Sequence, residues 1–253
     1  MKKYEITNET ICVCGKTLYR IKSLIDFDNV TQGTLGGFIE KESNLSHDNN
    51  AWVYDDAKVY DNAMIYGNAK VYDNAMIYGN AEVYDDAKVY DNAMIYGNAE
   101  VYDDAKIYGN AWVYDDAKVY DNAKVRDNAW VYGNAEVYDN AKVYNGAKIC
   151  GDTTVYGDAM VHGIAKVYGN AKVCDDAEVR DNTDYLCFMG LGSYNRNTTF
   201  FKCRDGHIRV SCGCFHGDLT EFENQVRKTH GDTKYAKEYL ACVTVVKIHF
   251  GIE

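Results

Sequence analysis

A six-residue unit repeats without interruption from residue 51 to residue 182, over more than half of the 253-residue chain. The first residue of the unit is alanine in 21 of the 22 copies, and Thr153 replaces it in the remaining copy. The third residue is Val or Ile in all 22 copies, and the fourth is Tyr in 17. The consensus Ala-x-Val-Tyr-Asp/Gly-Asn/Asp limits the fold more than any other feature, because every copy is expected to adopt nearly the same structure.

The order of residue types within the unit indicates a short strand followed by a corner. Ala and Val are two positions apart and therefore face the same side of a strand, which we assign to the interior. The x residue and Tyr then face outward, and Gly, Asn and Asp suit the tight left-handed turns of corners. Three such sides close a triangular coil of 18 residues. The repeat therefore predicts a parallel β-helix that is roughly 35 Å long at a strand spacing of ~4.8 Å.

The unit resembles the hexapeptide repeat of left-handed β-helices, and the resemblance covers residues 51–182 without a gap. A longer stretch of the chain resembles proteins carried by bacteriophages and prophages of gut bacteria. That second resemblance rests on the hexads and on three further segments, Gly36-Gly37-Phe38-Ile39-Glu40-Lys41-Glu42, Cys212-Gly213-Cys214-Phe215 and Thr229-His230-Gly231-Asp232. Proteins of that type are commonly labelled polymer-forming or hexapeptide-transferase-like, without an established activity. The resemblance thus implies a left-handed winding and a phage-type protein.

We predict a mainly β protein with three regions along the chain. They are an N-terminal β cap over residues 1–50, a left-handed parallel β-helix over residues 51–182 and a small α+β module over residues 183–253. In the cap, a hairpin with a Gly turn is expected over residues 10–21, and Ile39 and Leu45 resemble the aliphatic residues of degenerate first hexads. Leu45 and Val53 are two residues further apart than one hexad allows, which predicts a bulge near Asn49-Asn50.

The C-terminal module combines short apolar runs with turn and helix signals. Three short strands are predicted, over residues 185–188, 198–201 and 207–210, with a turn at residues 204–206. Asp218 occupies the position of a helix N-cap, and Gly231 marks the end of that helix. A second helical stretch is predicted from Tyr235 to Val246, with a strand at its end.

The formal net charge of −11 is concentrated in the repeats, where 12 basic and 23 acidic residues occur. This balance argues against direct nucleic-acid binding by the repeats, which would require clustered Lys and Arg. The N-terminus begins without the apolar run of a secretory signal, and no apolar stretch has the length of a membrane span. With nine cysteines and no such signal, we expect a cytoplasmic protein with free thiols.

Every third unit contributes its x residue to the same face of the triangle. Face 1 reads Trp52, Lys70, Lys88, Lys106, Lys124, Lys142, Met160 and Glu178. Face 2 reads Lys58, Met76, Met94, Trp112, Trp130, Lys148 and Lys166. Face 3 reads Met64, Glu82, Glu100, Lys118, Glu136, Thr154 and Lys172.

Face 2 is the most informative of the three. Its apolar stripe is defined here as four x residues and four neighbouring tyrosines, Met76, Met94, Trp112, Trp130, Tyr78, Tyr96, Tyr114 and Tyr132. A continuous apolar column with lysines at both ends has the composition of a contact surface. We therefore predict self-association into a dimer or trimer. The alternative is that these side chains only stack along the solenoid.

The charged columns have simpler interpretations. The lysine ladder of face 1 is expected to be balanced by the corner residues Asp73, Asp91 and Asp127. Other corners carry pairs of aspartates, and their simplest role is to form the turn and keep the protein soluble. Stacked carboxylates could also bind calcium or imitate a phosphate backbone.

Three functions follow as hypotheses. The first is a non-enzymatic scaffold or binding protein that engages a host macromolecule such as a host protein, with counter-defence as one use. The second is a hexapeptide acyltransferase, but the repeats lack an insertion and contain only one histidine, His162, at a tyrosine position. The third is a sponge for a small nucleotide, with sites at clefts between subunits. We assign no catalytic residue, cofactor or metal ion.

The C-terminal module holds most of the reactive residue types. Arg196, Arg204, Cys214 and His230 are the candidate ligand site. Cys212-x-Cys214-x-His216 is a poor match to half of a zinc site, because paired zinc cysteines are usually separated by two residues or more. A Cys214–His230 nucleophile pair is a further alternative, and buried thiols without chemistry are the simplest one.

Overall fold

The computed structural model describes residues 2–252 and contains one two-residue strand in each hexad. Face 1 stacks β4 (Trp52–Val53), β7 (Lys70–Val71), β10 (Lys88–Val89), β13 (Lys106–Ile107), β16 (Lys124–Val125), β19 (Lys142–Val143), β22 (Met160–Val161) and β25 (Glu178–Val179). Face 2 stacks β5 (Lys58–Val59), β8 (Met76–Ile77), β11 (Met94–Ile95), β14 (Trp112–Val113), β17 (Trp130–Val131), β20 (Lys148–Ile149) and β23 (Lys166–Val167). Face 3 stacks β6 (Met64–Ile65), β9 (Glu82–Val83), β12 (Glu100–Val101), β15 (Lys118–Val119), β18 (Glu136–Val137), β21 (Thr154–Val155) and β24 (Lys172–Val173). All neighbours on a face are parallel and 18 residues apart, which confirms the predicted parallel β-solenoid.

The interior consists of the alanine and the aliphatic residue of each hexad, as predicted. These side chains are completely or almost completely buried along the whole solenoid. Thr153, the one exception to the alanine rule, is also buried, and its Oγ1 donates to the carbonyl of Cys150 at 2.7 Å. If each buried Val or Ile contributes ~1.5–3 kcal/mol, the aliphatic column is the main source of stability before chain entropy is subtracted.

The corners depend on left-handed backbone at the fifth residue of the hexad. Asp or Gly occupies this position in nearly every copy, with φ of 50° at Asp55 and 71° at Gly109. A Cβ atom on Gly109 would lie 2.7 Å from the backbone nitrogen of Asp127 on the next coil. The corner is therefore tight at this site, which favours a glycine.

The N-terminal region covers the first coil. β1 (Tyr4–Val13) and β2 (Lys16–Ser23) form an antiparallel hairpin, which confirms the predicted one and extends it at both ends. β3 (Leu35–Ile39) and a short 3-10 helix (Glu42–Asn44) follow. Ile39 then pairs in parallel with Val59, and Leu45 with Ile65, so both behave as members of a first coil. Their separation of 20 residues matches the predicted two-residue bulge.

Trp52 differs from the other x residues because the N-terminal region packs over it. Its side chain is fully buried, with the Tyr4 ring centre at 6.1 Å and the Phe27 ring centre at 5.4 Å. The x position of the first coil on face 1 is thus part of the core.

The C-terminal module is a four-stranded antiparallel sheet with two helices. Its elements are β26 (Tyr185–Leu191), β27 (Arg196–Lys202), β28 (Ile208–Cys212), β29 (Phe215–Asp218), α1 (Leu219–His230) and α2 (Lys234–Phe250). The three predicted strands and the Asp218 cap are confirmed, and Gly231 does follow the last residue of α1. The prediction of a strand after the second helix was wrong, because helical spacing of Tyr239, Val243 and Val246 continues to a left-handed cap at Gly251. Neither α1 nor α2 has both the length and the hydrophobicity needed to cross a lipid bilayer.

The sheet of this module has two different sides. Tyr185 and Phe201 join the core of the solenoid and cover its last coil. Phe200 and Val210 belong to a second core that α1 and α2 complete. Alternate residues of β27 therefore hold the module together and attach it to the solenoid.

Candidate interaction face and ligand pocket

The four x residues of the apolar stripe lie in vertical register. Met76 pairs with Met94, Met94 with Trp112, and Trp112 with Trp130 on successive strands of face 2. The two indole rings stack with centres 5.0 Å apart and planes 3° from parallel. All four side chains are half-buried, since each covers part of its neighbour and presents the rest to solvent.

The tyrosines of the stripe form a second column on the same face. Rings of Tyr78, Tyr96 and Tyr114 stack at 4.9 and 4.8 Å, and Tyr96 also meets Trp112 edge to face at 6.4 Å. Burial raises the pKa of Tyr96 to about 12, so the phenol is neutral at physiological pH. Face 2 therefore presents two adjoining aromatic or apolar columns whose side chains are uncharged in the central coils, with Asp115 and Asp116 at the neighbouring corner.

The ends of the apolar stripe are closed differently. Toward the N-terminus, Leu18, Phe38 and Tyr60 form a buried cluster that Tyr78 contacts, so the hairpin continues the apolar surface. Toward the C-terminus, the Lys148 ammonium lies 4.0 Å from the centre of the Trp130 ring, a cation–π contact.

Most lysines of the face 1 ladder form no direct ion pair. Within residues 2–252, Lys88, Lys106, Lys124 and Lys142 have no carboxylate at ion-pair distance, whereas Lys70 pairs with Asp28. The Asp73 carboxylate accepts instead from the backbone N–H of Asp91 at 3.1 Å, and Asp127 pairs with Arg126 at 2.9 Å. Asp73 and Asp91 do lie near Lys106 and Lys124, around one shallow depression, so these aspartates are close to the ladder without forming direct ion pairs with it.

The same chemistry explains the acidic corners in general. One carboxylate oxygen of Asp61, Asp115 or Asp139 accepts from the backbone N–H of the glycine that follows one coil later, at 3.0–3.2 Å. At the next position, side chains such as Asn80 and Asn98 hydrogen-bond to one another along the corner at 3.0 Å. These groups are acceptors and donors between coils, which is what the corner interpretation predicts.

A cavity of about 240 Å³ in the C-terminal module brings together three residues of the candidate ligand site. Arg196, Cys214 and His230 line it, together with Ser193, Tyr194, Cys212, Phe215, Phe222, Gln225, Val226, Thr229 and Tyr239. Arg204 lies elsewhere, in the turn after β27, where its backbone N–H donates to the Asp176 carbonyl at 3.2 Å. The apolar floor and the guanidinium suit a small ligand with an apolar body and an anionic group.

Sequence reasoning missed most of the walls of this cavity. Phe222, Val226, Thr229 and His230 follow one another at helical spacing and so share one face of α1. That spacing was visible in the sequence, but the facing strands β27 and β28 could not be placed against it without the fold.

The other candidate residues have structural surroundings. Cys212-x-Cys214-x-His216, a poor match to half of a zinc site by its spacing, is also separated in space, because His216 faces the solenoid, with its Nδ1 3.5 Å from Cys174 Sγ. Cys212 accepts a hydrogen bond from Thr198 at 3.1 Å inside the module. His162 stacks on Tyr144 at 4.7 Å and lies 3.3 Å from a Glu178 carboxylate oxygen, so it continues the tyrosine column.

Taken together, these features define a parallel β-solenoid with an apolar face and a small ligand-sized cavity in its C-terminal module. Comparison of the chain with models of known protein families gives no match, and no curated protein is significantly similar to it. Any function must therefore be argued from the surfaces described above.

Proposed function

We propose that the protein is a non-enzymatic β-helix scaffold of the hexapeptide-repeat, phage type, which self-associates through the apolar stripe of face 2. The observation that supports this proposal is the unbroken vertical column of Met76, Met94, Trp112 and Trp130 beside the stacked tyrosines. Single exposed apolar residues are normal on proteins, but a continuous column of them is characteristic of contact surfaces.

Charge favours a second copy of the chain as the partner of this face. A two-fold axis would place the same surface against itself. On face 1 that arrangement would bring the unpaired lysines Lys106 and Lys124 against their own copies, and on face 3 it would do so for Glu82 and Glu100. Face 2 alone has four successive coils with uncharged x residues. Self-association through it would leave faces 1 and 3 of each copy for a host macromolecule.

The backbone at the edge of face 2 also suits close approach. Glycine occupies the corner at Gly79, Gly97 and Gly133, where the other two edges mostly carry aspartate. The missing side chains lower the rim beside the Tyr78–Tyr132 column in these three coils, and Asp115 and Asp116 keep a negative charge at the coil between Gly97 and Gly133.

The test is the mass of the particle in solution. Trp112→Lys combined with Trp130→Lys is expected to preserve the fold, because both side chains lie outside the coil, and to convert an oligomer into a monomer in light scattering coupled to size exclusion. The matched control is Glu136→Lys with Thr154→Lys, which adds lysines on adjacent coils of face 3 and should leave the mass unchanged. A wild-type monomer, or an oligomer that survives the tryptophan changes, would refute self-association through this face.

A further inference from the structure

Two hexads carry a cysteine where most others carry tyrosine, Cys150 on face 2 and Cys174 on face 3. Cys174 follows Tyr138 and Tyr156, whose rings stack at 5.1 Å, and ends their column. Its small side chain is fully buried, and His216 of β29 lies beside it where a further tyrosine ring would otherwise extend. The ring of His216 is perpendicular to that of Tyr156, with centres 6.3 Å apart. Within residues 2–252, no histidine lies at hydrogen-bond distance from Cys150.

The atoms around Cys174 have the spacing of metal ligands. Its Sγ lies 3.5 Å from His216 Nδ1 and 3.6 Å from Asp175 Oδ2, and the three ligand atoms all fall within 4.8 Å of one another. A tetrahedral zinc ion with bonds of about 2.3 Å to sulfur and about 2.0–2.1 Å to nitrogen or oxygen separates those ligand atoms by about 3.5–3.6 Å. The two distances from sulfur therefore match a zinc site. The His216 nitrogen and the Asp175 carboxylate oxygen lie within 4.8 Å of each other but not at ion-pair distance, so these two exposed side chains must turn toward each other to share the ion.

The second nitrogen of the histidine ring has the partner that a metal-bound histidine usually has. His216 Nε2 lies 3.4 Å from the hydroxyl of Tyr156. The hydroxyl oxygen of Tyr156 can accept the Nε2 hydrogen at this distance. This contact would leave Nδ1 unprotonated and directed at the ion, as supporting hydrogen bonds do in metal sites.

A second group of possible metal ligands nearby already has a positively charged partner. Asp176, Cys203 and Asp205 also lie within ligand distance of one another, but Arg209 reaches both carboxylates at 3.5 Å. The guanidinium already supplies the positive charge in that cluster. Around Asp175, no basic side chain lies at ion-pair distance within the part of the chain that the structure describes.

We propose that Cys174, Asp175 and His216 form a site for a divalent zinc-like cation. A mixed set of thiolate, imidazole and carboxylate ligands favours Zn²⁺ over Mg²⁺ or Ca²⁺, which require oxygen ligands. The thiol releases its proton to solvent on coordination, and water occupies the fourth position, since Asp175 and His216 are exposed. Cys174 and Asp175 belong to the corner after β24 and His216 to β29, so the ion joins the solenoid to the C-terminal module.

The first experiment uses Co²⁺ as the probe, added to the full chain after removal of metals by chelation. The exposed thiols Cys12, Cys14 and Cys214 are first changed to serine, because they could bind metal on their own. We expect one Co²⁺ per chain, with the absorption of a tetrahedral ion and a thiolate-to-cobalt charge-transfer band, both displaced by Zn²⁺. Cys150→Ser, the matched change at the other tyrosine-position cysteine, should leave the spectrum intact. Cys174→Ser should abolish the charge-transfer band.

Two further variants keep the test informative if Cys174→Ser, at a buried position, fails to fold. His216→Ala removes an exposed ligand and should abolish binding at stoichiometric Co²⁺, while Tyr156→Phe should weaken it roughly tenfold through the ring nitrogen. Zn²⁺ should raise the melting temperature of the parent and of Cys150→Ser, but not of His216→Ala. The proposal is overturned if no stoichiometric ion binds, if the spectrum is octahedral, or if the charge-transfer band persists in Cys174→Ser.

Discussion

The two ends of the solenoid leave peptide groups without a neighbouring coil, and the chain closes them with different groups. The N–H groups of the second, fourth and sixth residues of a hexad donate to a carbonyl one coil further along, as Trp52 does to Ala69 at 3.0 Å. The fifth residue donates to the preceding coil instead, as Gly79 does to the Asp61 carboxylate. The first coil therefore has carbonyls without a donor from a preceding coil, and the last coil has amides without an acceptor from a following one. An end left open in this way would invite stacking with another chain.

The N-terminal region supplies hydrogen-bond donors to the first coil. The Lys3 ammonium donates to the Ala51 carbonyl at 2.8 Å, and the Asn44 amide donates to the Asp61 and Ala63 carbonyls at 3.1 and 2.8 Å. Backbone N–H groups of the first, degenerate coil do the same, for example Phe38 to Ala57 at 2.8 Å.

The C-terminal end is closed by both donors and acceptors: the Tyr185 hydroxyl donates to the Lys166 carbonyl at 2.9 Å, and several side chains accept from the last amides. Thr199 Oγ1 accepts from the Lys172 N–H at 2.9 Å, on the side of β27 that faces the solenoid. Asn182 and Asp184 accept from the Lys166 and Arg180 amides, each at 2.8 Å. The first and last coils therefore present different backbone groups to their caps, so neither cap could replace the other.

The largest expected effect concerns the two sides of β27. Phe201→Ala should lower the free energy of unfolding by about 3–5 kcal/mol, because it opens a cavity against the last coil. Phe200→Ala should cost a similar amount by opening a cavity under α1. Hydrogen exchange separates them: Phe201→Ala should accelerate exchange in residues 172–179, and Phe200→Ala in α1 and α2. Faster exchange in the same segment for both variants would contradict the assignment of the two sides.

The next effect tests the comparison through pH, because among residues 2–252 the N-terminal cap contains the one buried lysine, Lys3. Burial lowers the pKa of Lys3 from 10.5 to about 8. Below pH 8 the folded and unfolded chains both hold this proton, whereas between pH 8 and 10.5 the unfolded chain binds more, so stability rises with pH. The gain at pH 9.5 is roughly 2 kcal/mol.

Urea unfolding at pH 7.5 and 9.5 measures this gain. Lys3→Met should remove the pH-dependent increase, while Lys2→Met, at an exposed neighbour, should retain it. An equal increase in wild type and in Lys3→Met would show that another group is responsible.

The solenoid could be predicted in detail because its contacts are local in the repeat. Once Ala111 and Val113 are placed in the interior, the 18-residue coil determines that Trp112 stacks between Met94 and Trp130. No long-range information is needed, since every coil contacts only its neighbours.

The ends of the solenoid and the candidate metal site could not be predicted from the repeat. Trp52 occupies an outward position in the repeat, and only the fold of residues 4–27 explains its burial. Cys174 and His216 are separated by 42 residues and meet through the packing of an irregular module. β29 was missed for a related reason, because its Gly and Asp disfavour a strand and only pairing with β28 stabilises it.

The smallest effect isolates a single acceptor of the C-terminal cap. Thr199→Val keeps the shape of the side chain but leaves the Lys172 N–H without its partner, so it should cost about 1 kcal/mol in urea unfolding. Thr198→Val is the matched control, because Thr198 is equally buried on the other side of β27 and only donates a weak hydrogen bond to Cys212 sulfur. Its cost should be smaller, and faster exchange of the Lys172 amide should appear in Thr199→Val alone. If the two variants are equally stable, the acceptor role of Thr199 at this end of the solenoid is wrong, and packing alone closes the last coil.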